Sequence, residues 1–148
     1  ITDAASCAVA VQQLNTELYS LRSKLKETHD LTIELNAHID AYEKWRKYRK
    51  HYQTREKLPE AKRTAFERSH EYELRQYRQA AVALHRWQVE GEKIDYNGWK
   101  AAMAYLDKEQ FMLDYQLQER KEKVRRMEVV KREFIQENKQ KRPERYGR

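Results

Sequence analysis

Only five residues of this chain break helices readily, and their positions divide the sequence. They are Pro59, Gly91, Gly98, Pro143 and Gly147. The long stretches between them are rich in Glu, Lys, Arg, Gln, Ala and Leu, which form helices well. The sequence therefore predicts an all-α fold made of a few long helices, with breaks near these residues.

The first predicted helix runs from about residue 3 to about residue 56 and carries a one-sided stripe. Its members follow one another at alternating spacings of four and three, which is a heptad pattern. Thr28 and Thr32 weaken the middle of the stripe, where Leu31 is an alternative. A stripe of this kind has to be buried against another helix. The stripe consists of Leu14, Leu18, Leu21, Leu25, Thr28, Thr32, Leu35, Ile39 and Tyr42.

A second helix is predicted after Pro59, from about residue 64 to about residue 90. Thr64 and Glu67 have the spacing of a capping box, in which each side chain bonds a free backbone donor of the first turn. Gly91 follows the helix as the expected left-handed cap residue. Its stripe is Phe66, His70, Leu74, Tyr77, Ala81, Leu84 and Trp87.

A third helix is predicted from about residue 98 to about residue 138, with Asp95 or Asn97 as its N-cap. Residues 139–148 are expected to form a flexible basic tail. The simplest assembly pairs the first and third helices as an antiparallel coiled coil, with the second helix beside them. We therefore expect one elongated three-helix domain over residues 1–138, in which an unpaired end of the first helix would favour a homodimer. The third stripe is Trp99, Met103, Leu106, Gln110, Leu113, Leu117, Val124, Met127 and Phe134.

The net charge of +7 is concentrated in two blocks. Residues 44–63 contain nine Lys or Arg against two Asp or Glu, and residues 119–148 contain twelve against six. The rest of the chain is mildly acidic. Such blocks favour a nucleic-acid backbone or an acidic protein surface as partner, although an ordinary solvated face is the alternative.

Aromatic and basic residues alternate over residues 42–52, which raises the possibility of bases stacked on rings. On a helical wheel, however, the four rings fall within one arc of roughly 120°. Only Arg49 shares that arc, so we predict that the rings pack on a neighbouring helix and that the basic face is the better candidate site. The candidate nucleic-acid contacts are Lys44, Arg46, Lys47, Arg49, Lys50, Arg55 and Lys57, with Lys121, Lys123, Arg125 and Arg126 as a second set.

Signals for catalysis, a metal or a cofactor are lacking in the sequence. His70-Glu71 resembles the start of a zinc-peptidase motif, but Leu74 stands where the second histidine is needed. The remaining histidines have no second histidine three or four residues further along the chain. The glycines are isolated, and Cys7 is the only cysteine. We therefore predict that this chain is not an enzyme and binds no metal or cofactor. No apolar run is long enough for membrane insertion.

Part of the chain resembles the C-terminal helical region of mobilisation relaxases, the DNA-nicking proteins of conjugative plasmids and integrative elements. The resemblance covers about two-thirds of the chain. It rests on Leu35, His38-Ile39, Tyr42-Glu43, Tyr48-Arg49 and Tyr52, then on Phe66, His70-Glu71-Tyr72-Glu73-Leu74 and Ala80-Ala81, and on the long charged helix over residues 99–138.

The resemblance implies an accessory role in a bacterial cytoplasmic protein. The catalytic nuclease, with its nucleophilic tyrosine and histidine-bound metal, would lie upstream, and no catalytic residue transfers to this chain. Because the chain opens at Ile1 rather than at a methionine, we expect it to be a piece of a longer protein. Implied partners are DNA and the accessory or coupling proteins of conjugation. The alternative is a purely structural coiled-coil dimerisation module.

Overall fold

Four helices and no strand make up the part of the chain that the computed structural model describes, which is residues 3–146, with side chains described as far as residue 140. The predicted all-α class is confirmed. Within these residues no helix combines the length and the apolar character that crossing a membrane requires. The helices are α1 (Ala4–Lys57), α2 (Glu60–Ser69), α3 (Glu71–Val89) and α4 (Tyr96–Tyr146).

The start of α1 is capped by a carboxylate. The Ser6 backbone N–H donates to Asp3 Oδ1 at 2.7 Å, which is the usual N-cap bond. This bond holds the pKa of Asp3 below its ordinary value. The helix then runs without interruption to Lys57 and ends before Pro59, as the sequence predicted.

The predicted capping box of Thr64 and Glu67 is wrong, because α2 begins earlier. The helix begins at Glu60, directly after Pro59, whose φ of −58° already suits a helix start. Thr64 therefore lies inside the helix rather than at its cap. Glu67 does not reach back to a backbone donor but accepts a hydrogen bond from Arg55 Nε at 2.5 Å.

A break at His70 divides the predicted second helix into α2 and α3. The φ and ψ of His70 are −122° and 32°, outside helical values, although its N–H still bonds the Phe66 carbonyl at 3.0 Å. The His70 ring nitrogen Nδ1 lies 3.2 Å from the same carbonyl. No glycine or proline occurs between residues 60 and 90, so the sequence did not indicate this break.

The connection between α3 and α4 follows the predicted chemistry. Gly91 has a φ of +92°, and the Glu92 N–H bonds the Trp87 carbonyl at 2.9 Å, which closes the end of α3. Of the two predicted N-caps for α4, Asp95 is the one used, since its Oδ1 accepts from the Gly98 N–H at 3.0 Å.

The last helix, α4, runs past its predicted end at residue 138 and continues to Tyr146. Glutamine, glutamate, lysine and arginine dominate residues 132–142, and these residues favour a helix even where no packing supports it. Most of the predicted flexible tail is therefore helical. Residues 147 and 148 lie outside the described residues.

The chain divides into two compact units. One, which we call the terminal unit, joins Ile1–His29 to Lys108–Arg148, and the other, the central unit, is the continuous segment Asp30–Asp107. The predicted single domain over residues 1–138 contains residues of both.

In the terminal unit, burial follows the predicted stripes. Leu18, Leu113 and Leu117 are buried, while their helix neighbours face solvent. Thr28 is also buried, and its hydroxyl donates to the Lys24 carbonyl at 2.8 Å. Leu31 is 51% exposed, so the threonine, and not Leu31, continues the stripe.

The central unit has its core where α1, α3 and the first turns of α4 meet. Leu74 is the most deeply buried of its side chains, with Ala80 and Leu84 on the same face of α3. Ile39 and Tyr48 of α1 are also buried. This core carries the aromatic and histidine clusters described below.

Candidate nucleic-acid interface

The three tyrosines of residues 42–52 pack against rings from other helices, as the sequence predicted, whereas Trp45 contacts the ring of Tyr42 on the same helix. Tyr42 stacks on Tyr96, with 4.8 Å between ring centroids, and Tyr52 stacks on Tyr77 at 4.7 Å. Tyr48 is buried. Rings engaged in this way are not free to stack on bases, so the candidate interface consists of the cations around them.

Two arginines of this segment lie over aromatic rings instead of beside carboxylates. The Arg46 guanidinium carbon is 5.0 Å from the centroid of Tyr96, and that of Arg49 is 4.9 Å from the ring of Trp45. A cation–π contact orients a guanidinium and leaves its full positive charge and most of its donors available. These two side chains are therefore held in place and remain able to bind an anion.

Three lysines of the same helix segment belong with these two arginines. Lys47, Lys50 and Lys57 are exposed, and Lys47 Nζ lies 5.2 Å from the ring of its neighbour Tyr48. Among the described residues, no carboxylate forms an ion pair with any of these three or with the two arginines. We call Arg46, Lys47, Arg49, Lys50 and Lys57 the α1 basic face.

The structure places two of the candidates differently. Lys44 pairs with Asp40, one turn earlier, at 3.1 Å. Arg55 bonds Glu67 and Glu56, and the hydrogen bond from Arg55 holds the pKa of Glu67 below its ordinary range. Arg55 therefore joins α1 to α2, a role that the sequence did not indicate because Glu67 belongs to a different helix.

The second basic set is largely neutralised within its own helix. Lys123 pairs with Glu119 at 3.5 Å, while Arg125 and Arg126 share Glu122 at 3.7 and 3.6 Å. Pairs at such spacings are ordinary features of solvated helices. Because nearby carboxylates repel phosphate, this set is the weaker candidate for a nucleic-acid contact.

Two further cations of this region are only partly exposed. Lys121 is half-buried. Arg120, which the sequence did not single out, donates to Glu17 of α1 at 2.7 Å. This bond joins the two segments of the terminal unit, so Arg120 has a structural role.

A small cavity opens beside the α1 basic face. It has a volume of about 270 Å³ and is lined by Tyr42, Trp45 and Leu84, with His85 and Gln88 among its other side chains. Its walls are mostly apolar, and the two polar side chains can each form a hydrogen bond. Such a cavity can accept one flat apolar group with polar edges.

Three of the five histidines, which the sequence predicted to be isolated, lie in two side-chain clusters. The ring centroids of His51 and His70 are 5.3 Å apart, and His51 Nδ1 is buried without a hydrogen-bond partner among the described residues. His38 meets Glu34 and Glu92, whose possible ligand atoms all lie within 4.8 Å of one another. Helical spacing could have indicated Glu34, but nothing in the sequence marks Glu92.

Comparisons of the chain with protein-family models, with curated proteins and with solved structures gave no match.

Proposed function

We propose that this chain is a non-catalytic helical accessory domain of a bacterial, cytoplasmic DNA-mobilisation relaxase, and that it binds the DNA backbone through the α1 basic face. The observation that carries the DNA-binding part is a set of five cations on one helix segment, for which the described part of the chain provides no paired carboxylate. The relaxase assignment is supported by the sequence resemblance over α1 to α3.

Phosphate binding suits this face because its charges are both available and held in position. The rings under Arg46 and Arg49 limit the freedom that these side chains would lose on binding. Lys47, Lys50 and Lys57 add point charges that need no fixed geometry. Contacts of this kind would be independent of base sequence and would position the DNA without reading it.

The test is the salt dependence of DNA binding, measured by fluorescence anisotropy with a labelled oligonucleotide. The variant Lys47→Gln/Lys50→Gln/Lys57→Gln removes three charges. If all three contact phosphates, it should reduce the log–log salt slope by about 2 to 3, since each phosphate neutralised contributes roughly 0.7 to 0.9. Arg46 and Arg49 are left unchanged because they also pack on rings.

The matched control removes three charges from the second basic set. In Lys121→Gln/Lys123→Gln/Arg125→Gln the net charge changes equally, but the slope should change by less than about 1 because carboxylates already neutralise two of these side chains. Equal effects of the two variants would show that only net charge matters. Absence of binding at low salt would exclude the DNA contact altogether.

For the terminal unit we propose that α1 and α4 pair in antiparallel fashion, as in a coiled coil. Glu17 contacts Arg120, and further back along α1 the residues Ala10 and Leu14 line a cavity with Met127 of α4. From Glu17 back to Leu14 the residue number in α1 falls, while that of the α4 residue nearby rises from 120 to 127. This order supports an antiparallel direction. Such a pair would present accessory or coupling proteins of conjugation with a helical surface.

A structural dimerisation module is the second candidate function. It is favoured by an exposed apolar group on α4 in the terminal unit, where Phe111, Met112 and Tyr115 are 72%, 53% and 63% exposed. Sedimentation velocity separates the two functions. Phe111→Gln/Tyr115→Gln should convert a dimer to a monomer if this group forms the interface, while the triple lysine variant should leave the oligomeric state unchanged.

A further inference from the structure

His38 occupies an unusual position for a histidine on a highly charged helix. Its side chain is 6% exposed. Its ring lies parallel to Trp87, with 3.7 Å between centroids and 7° between planes, and it meets the edge of Trp99 at 5.1 Å. Trp87 of α3 and Trp99 of α4 thus fix the plane of the His38 ring. The two ring nitrogens therefore point in fixed directions.

The partners of the two nitrogens determine where protons can sit. Nδ1 lies 2.7 Å from the Glu34 backbone carbonyl, which can only accept, so Nδ1 carries a hydrogen. In a neutral imidazole, Nε2 then presents a lone pair. That lone pair faces Glu92 Oε2 at 2.7 Å, and an ionised carboxylate is also only an acceptor.

Two acceptors at this separation require a positive species between them. A proton is one such species, which makes the pair a charged imidazolium–carboxylate bridge. A divalent metal ion can replace the proton once the exposed Glu92 carboxylate turns outward, because two ligands of a tetrahedral Zn²⁺ lie roughly 3.4 Å apart. Imidazole nitrogen and carboxylate oxygen are both common ligands. The hydrogen bond from Nδ1 to a backbone carbonyl is also the arrangement that usually orients a metal-binding histidine.

We propose that Glu34, His38 and Glu92 form a binding site for a divalent transition-metal ion, with Zn²⁺ as the best-matched ion. Glu34 precedes His38 by one helical turn, so both side chains leave the same face of α1. Glu92 comes from the connection between α3 and α4. Three protein ligands leave one position of a tetrahedral Zn²⁺ open to water.

The distances in the cluster suit this assignment. Its three ligand atoms lie within 4.8 Å of one another, and each needs to be about 2.0 to 2.2 Å from a bound Zn²⁺. Glu34 and Glu92 are exposed, so their carboxylates can turn by a fraction of that separation without disturbing the core. His38 is the fixed member, because the two indoles and the carbonyl hold it.

Binding would exchange the bridging proton for the metal ion. One Zn²⁺ enters, the proton between Nε2 and Glu92 leaves to solvent, and Nδ1 keeps its hydrogen. No bond to carbon changes and no electron is transferred. The site would thereby couple the α3–α4 connection to α1 and stabilise the central unit when the ion is bound.

The test is a Zn²⁺ titration of the chain carrying Cys7→Ala, which removes the only thiol. Isothermal calorimetry in two buffers of different protonation enthalpy should give one ion bound per chain, with a heat that differs between the buffers because the bridging proton is released. Tryptophan emission should change in parallel, because Trp87 lies against the ligand ring. Mg²⁺, which prefers oxygen ligands, should compete poorly.

Four variants decide the outcome. Glu92→Gln changes an exposed ligand and should weaken Zn²⁺ binding more than about tenfold while the helix content measured by circular dichroism is kept. His38→Gln should do the same, whereas Glu90→Gln, an exposed neighbour, and His51→Gln, in the other histidine cluster, should leave binding unchanged. Unaltered affinity in Glu92→Gln, loss of binding only in His51→Gln, or no binding at millimolar Zn²⁺ would overturn the proposal.

Discussion

At the scale of single residues, Asp95 holds the start of α4 through one carboxylate oxygen. Replacing it by alanine leaves the Gly98 N–H without this acceptor. We expect Asp95→Ala to lower the free energy of unfolding by about 1 kcal/mol, the usual cost of losing an N-cap. Urea denaturation followed by circular dichroism measures this. Asp107→Ala, an exposed change inside α4, should have a much smaller effect.

Glu67 makes the junction of α1 and α2 sensitive to acid. Its pKa is lowered in the folded chain by the hydrogen bond from Arg55, so the ionised form is favoured by folding. This contribution to stability is fully present above the ordinary pKa of 4.5 and is lost as the pH falls through the lowered value. Below that pH range the Glu67 carboxylate is protonated. Glu67→Gln and the original chain should then no longer differ in this contribution to the free energy of unfolding.

The measurement is urea unfolding at pH 7 and at pH 2 to 3 for both chains. Glu67→Gln should be the less stable at pH 7, and the difference should shrink in acid. Glu128→Gln, at an exposed position of α4, should show no comparable pH dependence. A difference for Glu67→Gln that is equal at both pH values would show that Arg55 contributes through packing and not through charge.

The residues that sequence reasoning located correctly are those whose role is local. Gly91 and Asp95 were predicted because a helix end needs a left-handed residue or an oxygen acceptor at a fixed offset. The contacts of Arg55 and His38 were not anticipated because their partners, Glu67 and Glu92, lie on other segments of the chain. Identifying such pairs requires knowing which helices pack together.

At the scale of single helices, α3 contributes three buried side chains to the core of the central unit. Leu74 is 1% exposed, so truncating it leaves a cavity that its neighbours only partly fill. Leu74→Ala should lower the free energy of unfolding by about 2 to 5 kcal/mol. Val82→Ala, on the exposed face of the same helix at 63% exposure, should change it by less than about 0.5 kcal/mol.

Helix faces were predicted in part. Leu18, Thr28 and Ile39 of the α1 stripe are buried, because heptad spacing fixes which side chains share a face. His38, Ala41 and Tyr48 are buried outside the stripe. The break at His70 was not predicted, since no glycine, proline or cap marks it. Helix α4 continues through Pro143, where the sequence predicted a break, to Tyr146. A continuous run of good helix formers carries no information about where tertiary contacts interrupt it.

At the scale of the whole molecule, the two units differ in the number of chain segments that form them. The central unit is one continuous segment, so the fragment of residues 30–107 should fold alone and unfold cooperatively in urea. A peptide of residues 1–29 should have little helix, because an isolated helix without its packing partner is marginal in water. Circular dichroism of both fragments tests this. A fragment 30–107 without a cooperative transition would show that its core depends on the terminal unit.

The sequence suggested the candidate site but did not show which of its cations are paired with carboxylates. The charge blocks and the arc of rings indicated the α1 basic face. Only the structure separates Arg46 and Arg49, which lie over rings, from Lys44 and Arg55, which are paired with carboxylates. Pairing depends on side-chain neighbours that charge counting along the sequence does not distinguish.

The discontinuity of the terminal unit has a consequence for synthesis on the ribosome. Residues 1–29 emerge first, but the segment that covers their stripe begins only at Lys108. At about 5 to 20 residues per second, Leu14 and Leu18 wait roughly 5 to 19 seconds for Lys108, where their partner segment begins, while the central unit is completed. During that interval the nascent stripe is an apolar surface open to chaperones, and newly made chains are then most prone to associate with one another.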